Sequence, residues 1–185
     1  MTDIIKAVRT FTEAIGCTTD RYNVRQTALY IGLQLEEMKE KLEALDFGHV
    51  HHSGGFYTSL MASLHHASGQ FKSGEMDIAV QDADREALLD ADIDLAWVTI
   101  GSALSQGADV EGAAGEVTRA NMDKLTVCHS FSCARGDRID GKGQRANCNG
   151  TGLVAIKDEN GKVKKPEGWR GPDISAFVRK DGATA

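Results

Sequence analysis

One helix, predicted from about residue 23 to residue 45, limits what this chain can fold into. One stripe of side chains along this helix is apolar in its first half and acidic in its second half. At 100° per residue, Leu29, Tyr30 and Leu33 lie on the same stripe as three carboxylates that follow them. These carboxylates are Glu36, Glu37 and Glu40. A stripe that is first apolar and then acidic predicts carboxylates that point into a shared interior. Since like charges at this spacing repel, we expect a positive group beside them.

A second long helix, predicted over residues 84–104, carries a similar row of acids. They follow one another at four-residue spacing: Glu86, Asp90 and Asp94. Trp97 and Gly101 continue the same line, and because glycine in a helix costs about 1 kcal/mol relative to alanine, we expect Gly101 to mark a close approach to another helix. Two rows of carboxylates suit Mg²⁺ or Mn²⁺, which prefer oxygen ligands. On spacing alone, two solvated acidic faces remain the alternative.

Two further motifs follow the acidic helices. Residues 116–125 read Glu-Val-x-x-Ala-Asn-Met-x-Lys-Leu, and residues 161–169 read Gly-Lys-Val-x-Lys-Pro-Glu-Gly-Trp, with Pro172-Asp173 behind them. Together with Glu36-Glu37-x-x-Glu40 and with Asp90 and Asp94, these motifs resemble the all-α nucleoside triphosphate pyrophosphohydrolases. That family comprises MazG-like and phosphoribosyl-ATP pyrophosphohydrolase-like proteins, including phage-type, MazZ-like members. The resemblance runs in order from about residue 31 to residue 174.

The second acidic helix departs from the commoner family pattern. That pattern, Glu-x-x-Asp, would place a carboxylate at position 91, where this chain has Ala91. Asp94 matches the Asp of the family pattern directly. Asp90 lies one residue before the position of the pattern's Glu, and Glu86 lies one helical turn before Asp90. Whether Glu86 or Asp90 completes the acidic set therefore stays open at this point.

The resemblance implies both an activity and a set of site residues. The activity is hydrolysis of a (deoxy)nucleoside triphosphate to the monophosphate and pyrophosphate with two or three Mg²⁺ or Mn²⁺ ions. The implied metal ligands are Glu36, Glu37, Glu40, Asp90 and Asp94. Of these, Glu36, Glu37 and Glu40 are also the expected catalytic residues, with Glu36 or Glu37 taking the proton of the attacking water. The implied substrate-binding residues are Asn121, Lys124, Lys165 and Trp169. dUTP, dCTP and dGTP all remain open as substrates, and a phage-type member would use dGTP or another dNTP in nucleotide-pool control.

For the fold, we expect a single all-α domain over residues 1–185, a helical bundle of the all-α NTP pyrophosphatase type. A Gly/Cys-rich insert is expected at residues 126–152 and a flexible tail at residues 178–185. The residues 153–157 and 162–165 predict a small C-terminal β-hairpin around Asn160-Gly161.

The ends of several helices can also be predicted. Asn23 and Asp109 are expected to be N-caps, since their side chains can accept hydrogen bonds from the first turn of a helix. Residues 73–83 are expected to form a connection without a helix of their own.

The insert contains three of the four cysteines of the chain. Cys128, Cys133 and Cys148, with His129 beside the first, form a partial Cys₃His zinc pattern that lacks a second close cysteine pair. We therefore expect free thiols in preference to Zn²⁺. The insert is also expected to lie apart from the chemistry.

The net charge of −6 argues against duplex nucleic acid and anionic membranes as partners, because both attract Lys and Arg. No run approaches the roughly 18 apolar residues of a membrane span, and no leader pattern opens the chain, so we expect a cytoplasmic protein, in the host cytoplasm if it is phage-encoded. The apolar surface of the two long helices predicts a homodimer or homotetramer.

The main alternative to an enzyme is a non-catalytic nucleotide-binding or regulatory helical assembly. Five acids argue against it, because binding alone does not require so many. A di-iron carboxylate bundle would need Glu-x-x-His pairs, and no Glu here has a His three residues later. A serine hydrolase is excluded by the lack of a Gly-x-Ser-x-Gly motif.

Overall fold

The computed structural model describes residues 2–45, 54–127, 137–139, 145–147, 153–158 and 162–178. Within these ranges the protein is mainly helical, which confirms the all-α prediction at the level of fold class. The helices are α1 (Thr2–Ala14), α2 (Val24–Glu43), α3 (Gly54–Ser73), α4 (Asp77–Gln81), α5 (Arg85–Leu104) and α6 (Val110–Met122). The strands are β1 (Thr126–Val127), β2 (Asp137–Ile139), β3 (Arg145–Asn147) and β4 (Leu153–Val154), and a 3₁₀ turn follows at Ser175–Phe177.

The chain divides into two compact units. One contains residues 20–84 and therefore α2, α3 and α4. The other contains residues 1–19 and 85–185, with α1, α5, α6 and the strands. Each of the described helices is too short or too polar to cross a lipid bilayer.

In the unit of residues 20–84, α2 and α3 meet closely at Gly32. The Ser68 hydroxyl donates a hydrogen bond to the Gly32 carbonyl oxygen at 2.8 Å. A Cβ atom at position 32 would lie 2.8 Å from Lys72 Cγ and 3.0 Å from the Ser68 carbonyl oxygen. Ala28, one turn earlier, is completely buried. Two small residues four positions apart thus allow α3 to lie against the backbone of α2.

The close helix approach expected at Gly101 is wrong for the described part of the chain. Nothing there lies within 4 Å of a Cβ atom built at Gly101. No residue of α5 is buried, and Trp97, one turn before Gly101, is 75 % exposed. Gly32 and Gly101 both lie inside helices, and a helical glycine costs the same free energy at either position. That cost therefore could not show from the sequence that Gly32, and not Gly101, is the glycine at a helix contact.

The side chain of Arg25, in the first turn of α2, binds the carboxyl end of α3. The Arg25 guanidinium donates to the carbonyl oxygens of Phe71, at 2.9 Å, and of Lys72, and its Nη1 lies 3.6 Å from Asp77 Oδ1. These carbonyls belong to the last turn of a helix, where no partner within the helix is available. Asp77 begins α4, so the prediction of a connection without a helix over residues 73–83 is wrong.

Both predicted N-caps are confirmed. Asn23 Oδ1 accepts a hydrogen bond from the Gln26 amide at 3.0 Å, and Asp109 Oδ1 accepts one from the Gly112 amide at 2.9 Å. Capping depends on residues three positions apart, which is why the sequence was sufficient to predict it.

In the other unit, α1 packs against α6, where Ala14 and Ala120 are both buried. The segment of residues 162–178, hereafter the C-terminal segment, follows α6 in the opposite direction. Trp169 Nε1 donates to the Ala120 carbonyl oxygen at 2.7 Å, and the Asp173 amide donates to Glu116 Oε1 at 3.1 Å. The Phe177 carbonyl oxygen accepts from the Asp109 amide at 2.8 Å. The C-terminal segment is therefore held along most of α6.

The small sheet differs from the predicted hairpin. β4 pairs with β1, with Thr126 opposite Val154, instead of with residues 162–165. The part of the predicted hairpin next to its turn is present: Lys157 forms an antiparallel bridge with Val163. On either side of this bridge the Asp158 amide donates to the Lys162 carbonyl oxygen at 2.8 Å, and the Lys164 amide donates to the Ile156 carbonyl oxygen at 2.7 Å. The turn residues Asn160-Gly161 lie outside the described residues. Val154 is 4 % exposed, so burial of this side chain accompanies the pairing with β1.

Most of the Gly/Cys-rich insert is outside the described residues, including Cys128, His129, Cys133 and Cys148. Apart from β1, with which it begins, its described part is an antiparallel pair of strands, β2 and β3, with Arg138 opposite Ala146. The composition of the insert did not predict this pair. Residues 179–185 of the expected tail are likewise outside the described part.

Candidate functional site

The end of α6 orients the first candidate cation. α6 ends at Met122, and the Lys124 amide donates to the Asn121 carbonyl oxygen at 3.1 Å, which turns the chain back toward the helix. As a result, Lys124 Nζ donates to Asn121 Oδ1 at 2.7 Å. The Asn-Met-x-Lys spacing thus allows the side-chain amide oxygen of Asn121 to hold the ammonium group of Lys124 in place.

A second cation reaches the same place from the C-terminal segment. Lys165 Nζ lies 4.6 Å from the centre of the Trp169 ring, and Lys124 Nζ lies 5.4 Å from the same centre. Both distances are within the range of cation–π attraction. The indole is held in turn by its bond to the carbonyl oxygen of Ala120, which is 2 % exposed. The four residues predicted to bind substrate therefore lie together: Asn121, Lys124, Lys165 and Trp169.

Two ammonium groups beside one ring repel each other, and the negative face of the indole offsets part of that repulsion. Lysine is a compact charge with three donors, which suits phosphate oxygens. An arrangement of this kind can bind an anion that carries several charges. We refer to Asn121, Lys124, Lys165 and Trp169 as the lysine–tryptophan cluster.

Sequence reasoning did not single out Arg119, which organises the charges next to this cluster. Its Nε and Nη2 donate to the two oxygens of Glu116 at 2.9 and 2.6 Å, and its Nη1 donates to Asp123 at 2.5 Å. The bond from Arg119, together with the amide of Asp173, lowers the pKa of Glu116 to about 2. The bonds to Glu116 and Asp123 raise the pKa of Arg119. Arg119 is three residues after Glu116 and four before Asp123, and these spacings are the signal in the sequence by which both pairs could have been predicted.

The acids of α2 lie in the unit of residues 20–84. Lys72 Nζ of α3 is 3.4 Å from Glu36 Oε1, and both side chains are about three-quarters buried. Lys72 therefore supplies a positive charge of the kind expected beside these carboxylates. Glu37 and Glu40 are both exposed. Along the same helix Lys39 binds Glu43 at 2.5 Å, and this bond raises the pKa of Lys39.

The acids of α5 lie in the other unit. Glu86, Asp90 and Asp94 are all exposed, at successive turns of one helix face. Among the described residues, no three His, Cys, Asp or Glu side chains form a group that could hold a metal ion. The metal ligands Glu36, Glu37, Glu40, Asp90 and Asp94, and the choice between Glu86 and Asp90, therefore stay predictions. In donor chemistry these carboxylates fit Mg²⁺ and Mn²⁺.

No family model, curated protein or solved structure matches the chain.

Proposed function

We propose that the protein is a metal-dependent nucleotide pyrophosphohydrolase of the all-α type, which converts a (deoxy)nucleoside triphosphate into the monophosphate and pyrophosphate. The observation that carries the proposal is the contact of Lys124 and Lys165 with the ring of Trp169. Two ammonium groups held at one indole suit the phosphates of such a substrate. The motif resemblance supports the same substrate class.

The lysine–tryptophan cluster has a simple division of roles in this proposal. Lys124 and Lys165 bind phosphate oxygens. Asn121 orients Lys124 through the 2.7 Å hydrogen bond between them. Trp169 positions both ammonium groups and is itself held by the backbone of α6.

The acids of α2 and α5 would hold Mg²⁺ or Mn²⁺ through carboxylate oxygens. These residues are Glu36, Glu37, Glu40, Asp90 and Asp94. When bound, the ions would lower the pKa of a coordinated water and offset the charge of the phosphates. Glu36 or Glu37 accepts the proton of the attacking water. Because Lys72 contacts one oxygen of Glu36, a metal ligand role for Glu36 requires that its carboxylate be shared with this ammonium group.

The substrate class fits a protein of the cytoplasm, of the host if it is phage-encoded, that acts on the nucleotide pool with dGTP or another dNTP as substrate. We also propose that it works as a homodimer or homotetramer. These proposals follow from the resemblance and the apolar helix surfaces.

The decisive test is a screen of the common NTPs and dNTPs with Mg²⁺ or Mn²⁺, in which pyrophosphate and orthophosphate are measured separately. We expect pyrophosphate and a nucleoside monophosphate in equal amounts. Stepwise release of orthophosphate through the diphosphate would contradict the proposal. Binding of nucleotides without turnover would favour the non-catalytic nucleotide-binding assembly.

A second test changes single acids of α2. Glu37→Gln or Glu40→Gln should lower kcat by at least about a hundredfold, a barrier increase of about 2.7 kcal/mol, while the helical circular dichroism signal stays the same. Glu43→Gln is the matched control, because Glu43 lies on the same helix, outside the proposed ligand set, and is paired with Lys39. Near-normal turnover of both test variants would show that these acids do not take part in catalysis.

A further inference from the structure

The C-terminal segment contacts α6 at three successive turns of the helix. The contacts are made by three residue pairs: Trp169 with Ala120, Asp173 with Glu116, and Phe177 with Gly112. On each side the residues are four positions apart, so the three contacts on α6 share one face of the helix, at intervals of about 6 Å. An extended chain would cover about 13 Å in four residues. The segment therefore has to be folded to follow the helix turn by turn.

Turns within the segment hold it in this compact form. Asp173 Oδ1 accepts a hydrogen bond from the Ser175 amide at 3.1 Å, where the 3₁₀ turn begins. Earlier in the segment, the Trp169 amide donates to the Pro166 carbonyl oxygen at 3.1 Å. This second turn directly follows Lys165, so docking of the same piece of chain places both Lys165 and Trp169.

Phe177 makes the apolar contact at the far end of the segment. Of the described residues 170–178, it is the one that is not exposed. A Cβ atom at Gly112 would lie 2.5 Å from its Cε1 and 2.6 Å from its Cδ1, so the ring reaches the helix backbone because position 112 has no side chain. The bond of the Asp173 amide to α6 is exposed to water, where a hydrogen bond adds little net stability. The docking of this stretch therefore depends mainly on the ring of Phe177.

We infer that Phe177 and Gly112 are positioning residues for the lysine–tryptophan cluster, about 12 Å away along α6. Lys124 follows the end of α6, whereas Lys165 and Trp169 are brought to it by the docked segment. Docking thus assembles the anion site before the anion binds, and the ring on Gly112 keeps the docked form populated. The identity of the anion as a nucleoside triphosphate rests on the proposed function.

This role has a distinct signature in binding. A ligand that binds the docked form alone has an apparent dissociation constant equal to the intrinsic one divided by the docked fraction. If that fraction falls from near one to about one-fifth, the dissociation constant rises about fivefold. Saturating ligand draws the segment back onto α6, so the number of binding sites stays the same. Unfolding has the opposite effect, because it removes sites and leaves the dissociation constant of the remaining sites unchanged.

The first experiment is a calorimetric titration of the full chain with inorganic tripolyphosphate, without divalent ions. Phe177→Ala and Gly112→Ala should each raise the dissociation constant at least about fivefold at unchanged stoichiometry. Phe177→Leu keeps an apolar side chain and should restore most of the affinity. Gly115→Ala is the matched control, since nothing in the described chain lies within 4 Å of a Cβ atom at that position of the same helix. It should leave affinity and stoichiometry unchanged.

A double variant tests whether Gly112 acts through the ring. A methyl group at position 112 would also lie 2.6 Å from Asp109 Oδ2, so an effect through the N-cap has to be separated from one through Phe177. Because residues in contact are coupled, Gly112→Ala/Phe177→Ala should bind tripolyphosphate no more weakly than Phe177→Ala. A further loss in the double variant would assign the effect of Gly112→Ala to the cap and overturn the role of the glycine.

The second experiment follows the fluorescence of Trp169 alone, in a Trp97→Phe background, since the chain has two tryptophans. Phe177→Ala should move the emission to longer wavelength, because the indole leaves α6 more often. Saturating tripolyphosphate should move it back. In nucleotide hydrolysis the same variant should raise KM and leave kcat unchanged, since saturating substrate redocks the segment.

Unchanged tripolyphosphate affinity of Phe177→Ala and Gly112→Ala would overturn the inference, as would a fall in stoichiometry alone or an equal loss in Gly115→Ala. A wild-type protein that binds no tripolyphosphate would overturn it as well. The proposed function fails separately: if the variants behave as expected and no nucleotide is hydrolysed, the positioning of the anion site stands without that activity. If nucleotides are hydrolysed and all variants bind tripolyphosphate equally, the inference alone fails.

Discussion

Arg119 determines the local charge around the lysine–tryptophan cluster. Glu116 and Asp123 lie on the same helix end as Lys124, and each carboxylate would oppose the approach of an anion. Arg119 binds both of them, and the Asp173 amide adds a further bond to Glu116. The bond from the Asp173 amide also joins α6 to the C-terminal segment that carries Lys165 and Trp169, so Glu116 helps to position the cluster while Arg119 offsets its negative charge.

The low pKa of Glu116 predicts a particular dependence of stability on pH. Because its pKa falls from an ordinary value near 4.5 to about 2 in the folded protein, its contribution to stability is complete above about pH 5. It is lost as the pH falls toward 2. The difference in Tm between the wild type and Glu116→Gln should therefore be largest near neutral pH and should shrink between about pH 5 and pH 2.

The measurement is thermal unfolding across this pH range. Glu111→Gln serves as the control, because Glu111 is exposed on the same helix and outside the Arg119 network. A difference between wild type and Glu116→Gln that stays constant with pH would show that the carboxylate of Glu116 is not stabilised in the folded state.

Residue roles could be predicted from the sequence only where the partners are local. The caps Asn23 and Asp109 act on amides three residues away, and Asn121 acts on Lys124 at the same distance. Trp169 binds a carbonyl 49 positions earlier in the chain. No spacing rule gives such a pair, and the motif resemblance grouped Trp169 with Lys124 without giving the contact.

Among the helices, the pairing of α2 with α3 depends on the small residue at their closest point. A side chain at position 32 would meet both the Lys72 side chain and the Ser68 backbone. The backbone cannot move aside as a flexible side chain can, so the helices would have to separate. In contrast, Gly69 on α3 has nothing within 4 Å of its Cβ position in the described chain.

Gly32→Leu should therefore destabilise the protein by at least about 2 kcal/mol, as overpacked sites do. Gly69→Leu should leave stability unchanged or raise it by up to about 1 kcal/mol, because leucine is the better helix former. Urea unfolding, with the same slope for both variants, measures the difference. Equal stability of the two variants would contradict the close contact at Gly32.

The elements that the sequence did not predict are short ones. α4 has five residues, too few to show an apolar period, and its position depends on Tyr22, which donates to Val80 from 58 positions away. β4 has two residues and pairs with β1 across the insert. In such elements the tertiary partner decides the structure, whereas the long helices α2 and α5 were predicted from the periodicity of their own side chains.

For the molecule as a whole, the charges that sum to −6 are unevenly distributed along the chain. Residues 1–123 contain 20 acidic and 9 basic residues, a net charge of −11. Residues 124–185 contain 7 acidic and 12 basic residues, a net charge of +5. The total charge argued against large anionic partners, and the positive part of the chain is the part that contains Lys124, Lys165 and Trp169. A small polyanion that binds there is compatible with both observations.

The last prediction separates a specific site from this general positive charge. Lys165→Met and Lys164→Met each remove one positive charge from the same exposed stretch, but Lys165 contacts Trp169 and Lys164 is not among the residues of the cluster. In calorimetric titrations with inorganic tripolyphosphate, Lys165→Met should weaken binding by about tenfold, or about 1.4 kcal/mol. Lys164→Met should weaken it by no more than about twofold, because a solvated charge farther away is screened by salt. Equal losses would mean that only the overall charge of the segment attracts the anion, and the lysine–tryptophan cluster would then have no special role in binding phosphate.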